Sequence, residues 1–221
     1  MSRRLAPRVA LGTLAAAVAS CALLVPGAAY ANTYRVEIVN VASNGKLRAD
    51  VMGASVQDGQ GVFLWPNNSS ASQEFDLINM GGGYFQIRAR HSGKCLMVDR
   101  TQVNVGNGRR IAQYPCTPAT YKTAQWTFRD MNGHCSDTAG VPAPNAVQHP
   151  QQCVDTGRRV IRNRWYTTRC LDTANPSGTK PPQRAVLQLW TCISSRKAWN
   201  ADNQIWKLVD SATGRTITRP Q

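Results

Sequence analysis

The sequence predicts an all-β domain built from three imperfect copies of one unit, and three observations point there. A pattern near the end, Cys170-Leu171-Asp172, then Gln188-Leu189-Trp190-Thr191-Cys192, then Asn203-Gln204-Ile205-Trp206, has two weaker counterparts upstream. Strand signals dominate: Tyr34-Arg35-Val36-Glu37-Ile38-Val39 and Tyr84-Phe85-Gln86-Ile87-Arg88 alternate with a period of two, punctuated by Asn44-Gly45, Gly81-Gly82-Gly83 and Asn107-Gly108 as turns. Beyond the first 31 residues no stretch carries a helical period. Each copy is too short to bury a core alone, so the copies must complete one another about a pseudo-threefold axis.

The first copy reads Gly45-Lys46-Leu47, then Phe63-Leu64-Trp65-Pro66, then Gln73-Glu74-Phe75. The middle copy reads Gly93-Lys94-Cys95-Leu96, then Ala112-Gln113-Tyr114-Pro115-Cys116, then Gln125-Trp126. The copies end unevenly, with 51 residues from Phe75 to Trp126 but 80 from Trp126 to Trp206. The excess of 29 marks an insertion at about 131–152, where His134-Cys135-Ser136-Asp137, Pro142, Pro144 and Pro150 leave little room for regular structure.

Residues 1–31 read as a secretory signal. Arg3, Arg4 and Arg8 precede an apolar run from Val9 to Val25, and the small-residue site Ala29-Tyr30-Ala31 follows Pro26. The mature chain, 32–221, is then one secreted domain without a transmembrane segment, because Gly12, Thr13, Ser20 and Cys21 interrupt the run and no second one follows. A lipidation box at Val18-Ala19-Ser20-Cys21 and a twin-arginine signal at Arg3-Arg4 are weaker readings. Processing removes Cys21 and leaves six cysteines, an even number bound for an oxidising compartment. Six cysteines allow 15 connectivities. Matching repeat positions favour Cys95–Cys116 and Cys170–Cys192, which leaves Cys135 and Cys153 to close the insertion. Each such bridge contributes about 3 kcal/mol in the chain-entropy model. The first copy has Leu47 and Pro66 in those places and relies on packing. The signal holds three arginines and no acid, so processing lowers the formal charge from +14 to +11. That field attracts an acidic glycan or another polyanion, but nothing resembles a base-reading module and no specific nucleic-acid partner is expected.

The repeated motifs resemble the ricin-B type β-trefoil lectin family, in which Gln-x-Trp marks each repeat. The resemblance runs from about Tyr34 to Val209 and is most specific in the third copy. It implies a β-trefoil with a long disulfide-closed insertion between repeats two and three, and carbohydrate as the partner, a galactose-type sugar or a polysaccharide. On that resemblance Asp172 binds the key sugar hydroxyls, Trp190 stacks on the sugar face and Asn203 hydrogen-bonds a hydroxyl. Gln188 and Gln204 support the Asp172 geometry or touch the sugar. These residue types suit the task, since aromatic rings cover the C–H face of a sugar while carboxylates and amides meet its hydroxyls. A longer segment from Cys192 to Asn203, containing Trp199, departs from the family pattern, and Trp206 is read as core. Asp50 and Trp65 form a second, weaker site, because Phe63 and Ser72 replace its polar partners. In the middle copy Tyr114 and Asp99 remain, but Met97 holds the aspartate position and Thr123-Ala124 replace Asn-Gln, so no site is expected. The rival reading is a non-catalytic delivery subunit resembling those of cytolethal distending toxins, with a partner toxin subunit and partly vestigial sugar sites.

Other chemistries compete poorly. His91 and Cys95, like His149 and Cys153, have metal-like spacing, but even cysteines in a secreted chain make disulfides, so no metal or cofactor is expected. After processing the glutamates are Glu37 and Glu74, the aspartates show no paired motif, and no nucleophile signature is present, so the chain is not read as an enzyme. Arginines 158, 159, 162, 164 and 169 suit phosphates, yet a strand alternating basic and apolar residues explains them equally well. Peptide mapping of the secreted protein without reduction is expected to find an N-terminus at Asn32 and a Cys135–Cys153 bridge; a Cys153–Cys170 link would contradict the repeat alignment.

Overall fold

The structure, a computed structural model, describes residues 34–102, 106–130, 157–175, 180–193, 203–218 and 220. The expected signal, the insertion with Cys135 and Cys153, and Trp199 lie outside the described residues. Twelve strands are present among them: β1 (Tyr34–Asn40), β2 (Leu47–Val51), β3 (Gln60–Pro66), β4 (Phe75–Asn79), β5 (Phe85–Ala89), β6 (Cys95–Val98), β7 (Arg109–Tyr114), β8 (Trp126–Asp130), β9 (Arg158–Asn163), β10 (Arg169–Thr173), β11 (Leu187–Thr191) and β12 (Ile205–Asp210). Both alternating segments form strands, and Asn44-Gly45 turns β1 into β2 with φ of 57° and 73°, the left-handed pair that a tight hairpin requires.

All twelve strands join one antiparallel sheet, and the pairings recur every four strands. First pairs with second in β1–β2, β5–β6 and β9–β10. Second pairs with third in β2–β3, β6–β7 and β10–β11. First pairs with fourth in β1–β4, β5–β8 and β9–β12. The fourth strand meets the next first strand in β4–β5, β8–β9 and β12–β1. Strands β1, β4, β5, β8, β9 and β12 therefore close a ring, so none of these six strands is a sheet edge. The other six strands form hairpins that meet through β3–β7, β7–β11 and the bridge Phe63↔Val186.

One core fills the ring. Val36, Ile38, Leu77, Ile87, Ile161 and Leu208 point inward from ring strands and pack with Leu64, Leu96, Leu171 and Leu189 from the hairpins. Phe75, Trp126 and Trp206 hold matching places at the beginnings of β4, β8 and β12, each essentially buried. The indole N–H of Trp126 donates to the Leu96 carbonyl at 3.0 Å, and that of Trp206 to the Leu171 carbonyl at 3.1 Å. Burial leaves an indole N–H needing such a partner, so the ring position is pinned as well as packed.

Cys95–Cys116 and Cys170–Cys192 are disulfides. The register corrects which first-copy residues match them. Val39 pairs with Arg48 just as Arg88 pairs with Cys95 and Arg162 with Cys170, so Arg48 rather than Leu47 holds the cysteine position. Arg48 binds the Glu37 carboxylate across β1–β2. An ion pair with both side chains largely buried thus stands where the other hairpins carry covalent bonds. Trp206→Ala is expected to cost about 3–5 kcal/mol in urea unfolding. Trp206→Phe is expected to cost about 1–3 kcal/mol, because the Leu171 carbonyl then loses its indole donor.

Candidate functional site

The third hairpin brings the expected residues together through its register. Asp172 on β10 lies opposite Gln188 on β11, and Trp190 lies opposite Cys170, so Asp172, Gln188 and Trp190 share one face while Leu171, Leu187 and Leu189 enter the core. The Asp172 carboxylate accepts the Gln188 amide on one oxygen at 2.9 Å and the Asn203 amide on the other at 2.7 Å. Asn203 thus lies beside Asp172 although a longer segment precedes it. Gln204 is buried; its amide donates to the Thr191 carbonyl at 3.0 Å and its own carbonyl accepts the Ile193 N–H at 3.1 Å. It clamps the chain leaving β11 behind the site. Trp190 is 43% exposed, whereas Trp206 is wholly buried in the core.

Burial pushes the Asp172 carboxyl above its ordinary value, and hydrogen bonding from side-chain amides, Gln188 first, opposes that rise. The carboxylate is thus held at the floor of the face with its two oxygens already oriented. Asn107 is a contact the sequence reading missed. Its side-chain carbonyl accepts the Thr191 N–H at 2.8 Å and the Thr191 hydroxyl at 3.1 Å, fixing the end of β11 beside Trp190. Its only signal was the Asn-Gly turn, and its partner lies 84 residues away.

The first hairpin repeats the arrangement with fewer polar groups. Asp50 lies opposite Phe63 as Asp172 does opposite Gln188, and Trp65 takes the place of Trp190. Asp50 accepts the Gln73 amide at 2.8 Å, and the same amide reaches the Pro66 carbonyl at 2.8 Å. Phe63 stands edge-on to Trp65, with ring centroids 5.4 Å apart. Ser72, in the asparagine position, bonds the Ser70 hydroxyl at 2.7 Å. Asp50, Trp65, Ser70, Ser72 and Arg184 line a cleft of about 530 Å³, within the usual size range of small-ligand sites. Arg184 comes from a distant part of the chain, which local spacing does not reveal.

The middle hairpin is filled from within. Met97 faces Ala112 where the others carry Asp172 with Gln188 or Asp50 with Phe63. Tyr114 is 8% exposed and donates to Asp99 at 2.8 Å. Burial alone would raise the Asp99 carboxyl, but bonds from Thr101, Arg110 and Tyr114 hold it down at about 2. The arginine cluster does not converge: Arg159 is buried, Arg164 stacks 4.1 Å over Tyr84, and Arg169 donates to the Thr191 hydroxyl. Among the described residues no group of three or more His, Cys, Asp or Glu side chains is placed to hold a metal ion.

Residues 27–114 and 79–139 match the family model described as ricin-type beta-trefoil lectin domain-like, which leaves the third hairpin outside the matched segments. No curated protein matches the chain significantly. Among solved structures, the designed threefold symmetric protein ThreeFoil is 24% identical with a TM-score of 0.58, covering 80% of this chain and 98% of that one. A ricin B-like lectin from Macrolepiota procera, solved in complex with lactose, is 15% identical with a TM-score of 0.53, covering 80% and 96%. A cytolethal distending toxin from Actinobacillus actinomycetemcomitans gives 14%, 0.54, 84% and 97%. At these identities the likeness is one of fold.

The Asp172 environment carries a pH signature. Because its folded-state pKa is raised, the folded chain binds this proton more tightly than the unfolded chain does, and the contribution of Asp172 to stability falls as pH rises from 3.8 through the raised value. Asp172→Asn removes that titration. Thermal unfolding is therefore expected to show the variant gaining on the wild type between about pH 3 and pH 7; a difference in Tm that stays constant would show the carboxyl to be unperturbed.

Proposed function

The chain belongs to the ricin-type β-trefoil lectin domain-like family, and from that premise we propose that it is a secreted, non-catalytic carbohydrate-binding protein with its most complete site at Asp172, Gln188, Trp190 and Asn203. One observation carries the site assignment: an exposed indole stands on the same face as a carboxylate whose oxygens are both held by side-chain amides. A sugar needs this pair, a flat apolar surface for its C–H face and a fixed acceptor for adjacent hydroxyls. Asp172 is little exposed, but Asp50 is equally withdrawn and still lines an open cleft. Gln204 acts behind the site, holding the turn after β11.

The three-repeat reading of the chain is part of this proposal and draws support from the four-strand recurrence of the pairings. In it the first hairpin is a second sugar site and the middle hairpin is a structural repeat, its aspartate committed to Arg110, Thr101 and Tyr114. A galactose-type sugar or a polysaccharide of such units is the expected ligand. A shallow single site binds weakly, with a Kd on the order of 1 mM, so two sites on one polysaccharide give the useful avidity. The segment 1–31 is proposed as the secretory signal, consistent with disulfide use in the mature part. Trp190→Ala is expected to lower the affinity of the third site at least about tenfold with an unchanged Tm, because a solvent-facing ring contributes to binding more than to the core. Isothermal titration with galactose-type oligosaccharides checks this, and equal affinity in the variant would remove the site.

A further inference from the structure

We propose that the Asp50–Trp65 cleft is selective for acidic sugars of the uronic acid class and that Arg184 is the residue that selects them; this rests on the carbohydrate reading above. The backbone makes the case. The N–H groups of Gly59, Gly108 and Arg184 donate to the carbonyls of Gln113, Leu189 and Leu64 respectively. Those carbonyls immediately precede Tyr114, Trp190 and Trp65, so the three donors hold equivalent places in the three hairpins. All three residues are left-handed, with φ of 76°, 88° and 70°. Glycine adopts this backbone freely, whereas a side chain is strained in it. Two of the equivalent positions are glycine and the third is arginine. A residue held against its own backbone preference marks a place where the side chain is wanted.

The side chain goes to the cleft. The Arg184 guanidinium lies 5.4 Å from the centroid of the Trp65 ring and lines the cleft with Asp50. Among the described residues no carboxylate pairs with it. A uronic acid differs from its parent hexose by a carboxylate in place of the hydroxymethyl group. Stacked on Trp65, it would present hydroxyls to Asp50 and that carboxylate to Arg184, whose planar fork binds it through two charge-assisted hydrogen bonds. The fixed negative charge of Asp50 disfavours the reversed pose. In the third hairpin the equivalent residue is Gly108, which offers no side chain, so the two sites differ in the class of sugar they take.

The test compares oligosaccharides of galacturonic acid with the matched galactose oligosaccharides, on full-length mature protein carrying Trp190→Ala so that the third site is silent. We expect preference for the acidic sugar of about tenfold or more, lost in Arg184→Gly and reduced but still present in Arg184→Lys, whose point charge attracts the carboxylate without the bidentate pair. Arg184→Gly relieves the backbone, so its Tm should remain within about 2–4 °C of the parent and loss of binding cannot be ascribed to unfolding. Arg215→Gln removes one exposed positive charge elsewhere and should keep the preference, which separates local selection from the general basic field. Preference unaffected by Arg184→Gly, or lost equally in Arg215→Gln, overturns the assignment to Arg184. Neutral-sugar binding by the wild type without any acidic preference overturns this inference alone, whereas a wild type that binds neither sugar overturns the carbohydrate reading beneath it.

Discussion

The pairing of β12 with β1 is the contact on which the rest of the structure depends. Five registered pairs, from Val36↔Asp210 to Asn40↔Trp206, join the two ends of the described chain and close the ring. Until they form, β1 and β12 are open edges and the apolar faces carrying Val36, Ile38, Trp206 and Leu208 have only part of their cover. No group of four strands is self-sufficient, because its first strand borrows the fourth strand of the group before it. Closure spans more than 160 residues of sequence, so it gains little from local contacts and must be rewarded by the shared core.

That closed frame is then used in two ways on equivalent hairpins. In the middle hairpin the polar groups turn on one another: Asp99 collects Thr101, Arg110 and Tyr114. In the third hairpin the carboxylate is held by two neutral amides and the aromatic ring is left to solvent. The difference lies in whether charge is neutralised from within. A carboxylate paired with arginine and a phenol is a fastening; one held by amides keeps its charge available.

Much of this was legible in the sequence because it is encoded locally. Alternation marks β1 and β5 within six residues, and the spacing of Asp172, Gln188 and Trp190 reports a register that a one-residue slip would have destroyed. The recurring positions also identified both described disulfides. Reading fails where letters and pairing register part, and where partners come from different groups of strands. Arg48 opposite Val39 is one residue from the position that motif alignment selected, since Gly-Lys-Leu and Gly-Lys-Cys align in letters but not in pairing. Asn107 and Arg184 each act on the hairpin of another unit, and neither carries a local signal beyond turn propensity or none at all.

The borrowed wall has a consequence for how such a chain diversifies. Arg184 belongs to the stretch between β10 and β11 yet lines the cleft of the β2–β3 hairpin, and Asn107 precedes β7 yet steadies β11. Each of these faces is therefore split between two segments that internal duplication would copy separately. A newly duplicated unit would arrive with floor and platform from itself and a wall inherited from its neighbour. Drift in a single turn would then reshape the face of the adjoining hairpin and leave its own untouched, so hairpins can come to present different surfaces while their pairing strands stay alike.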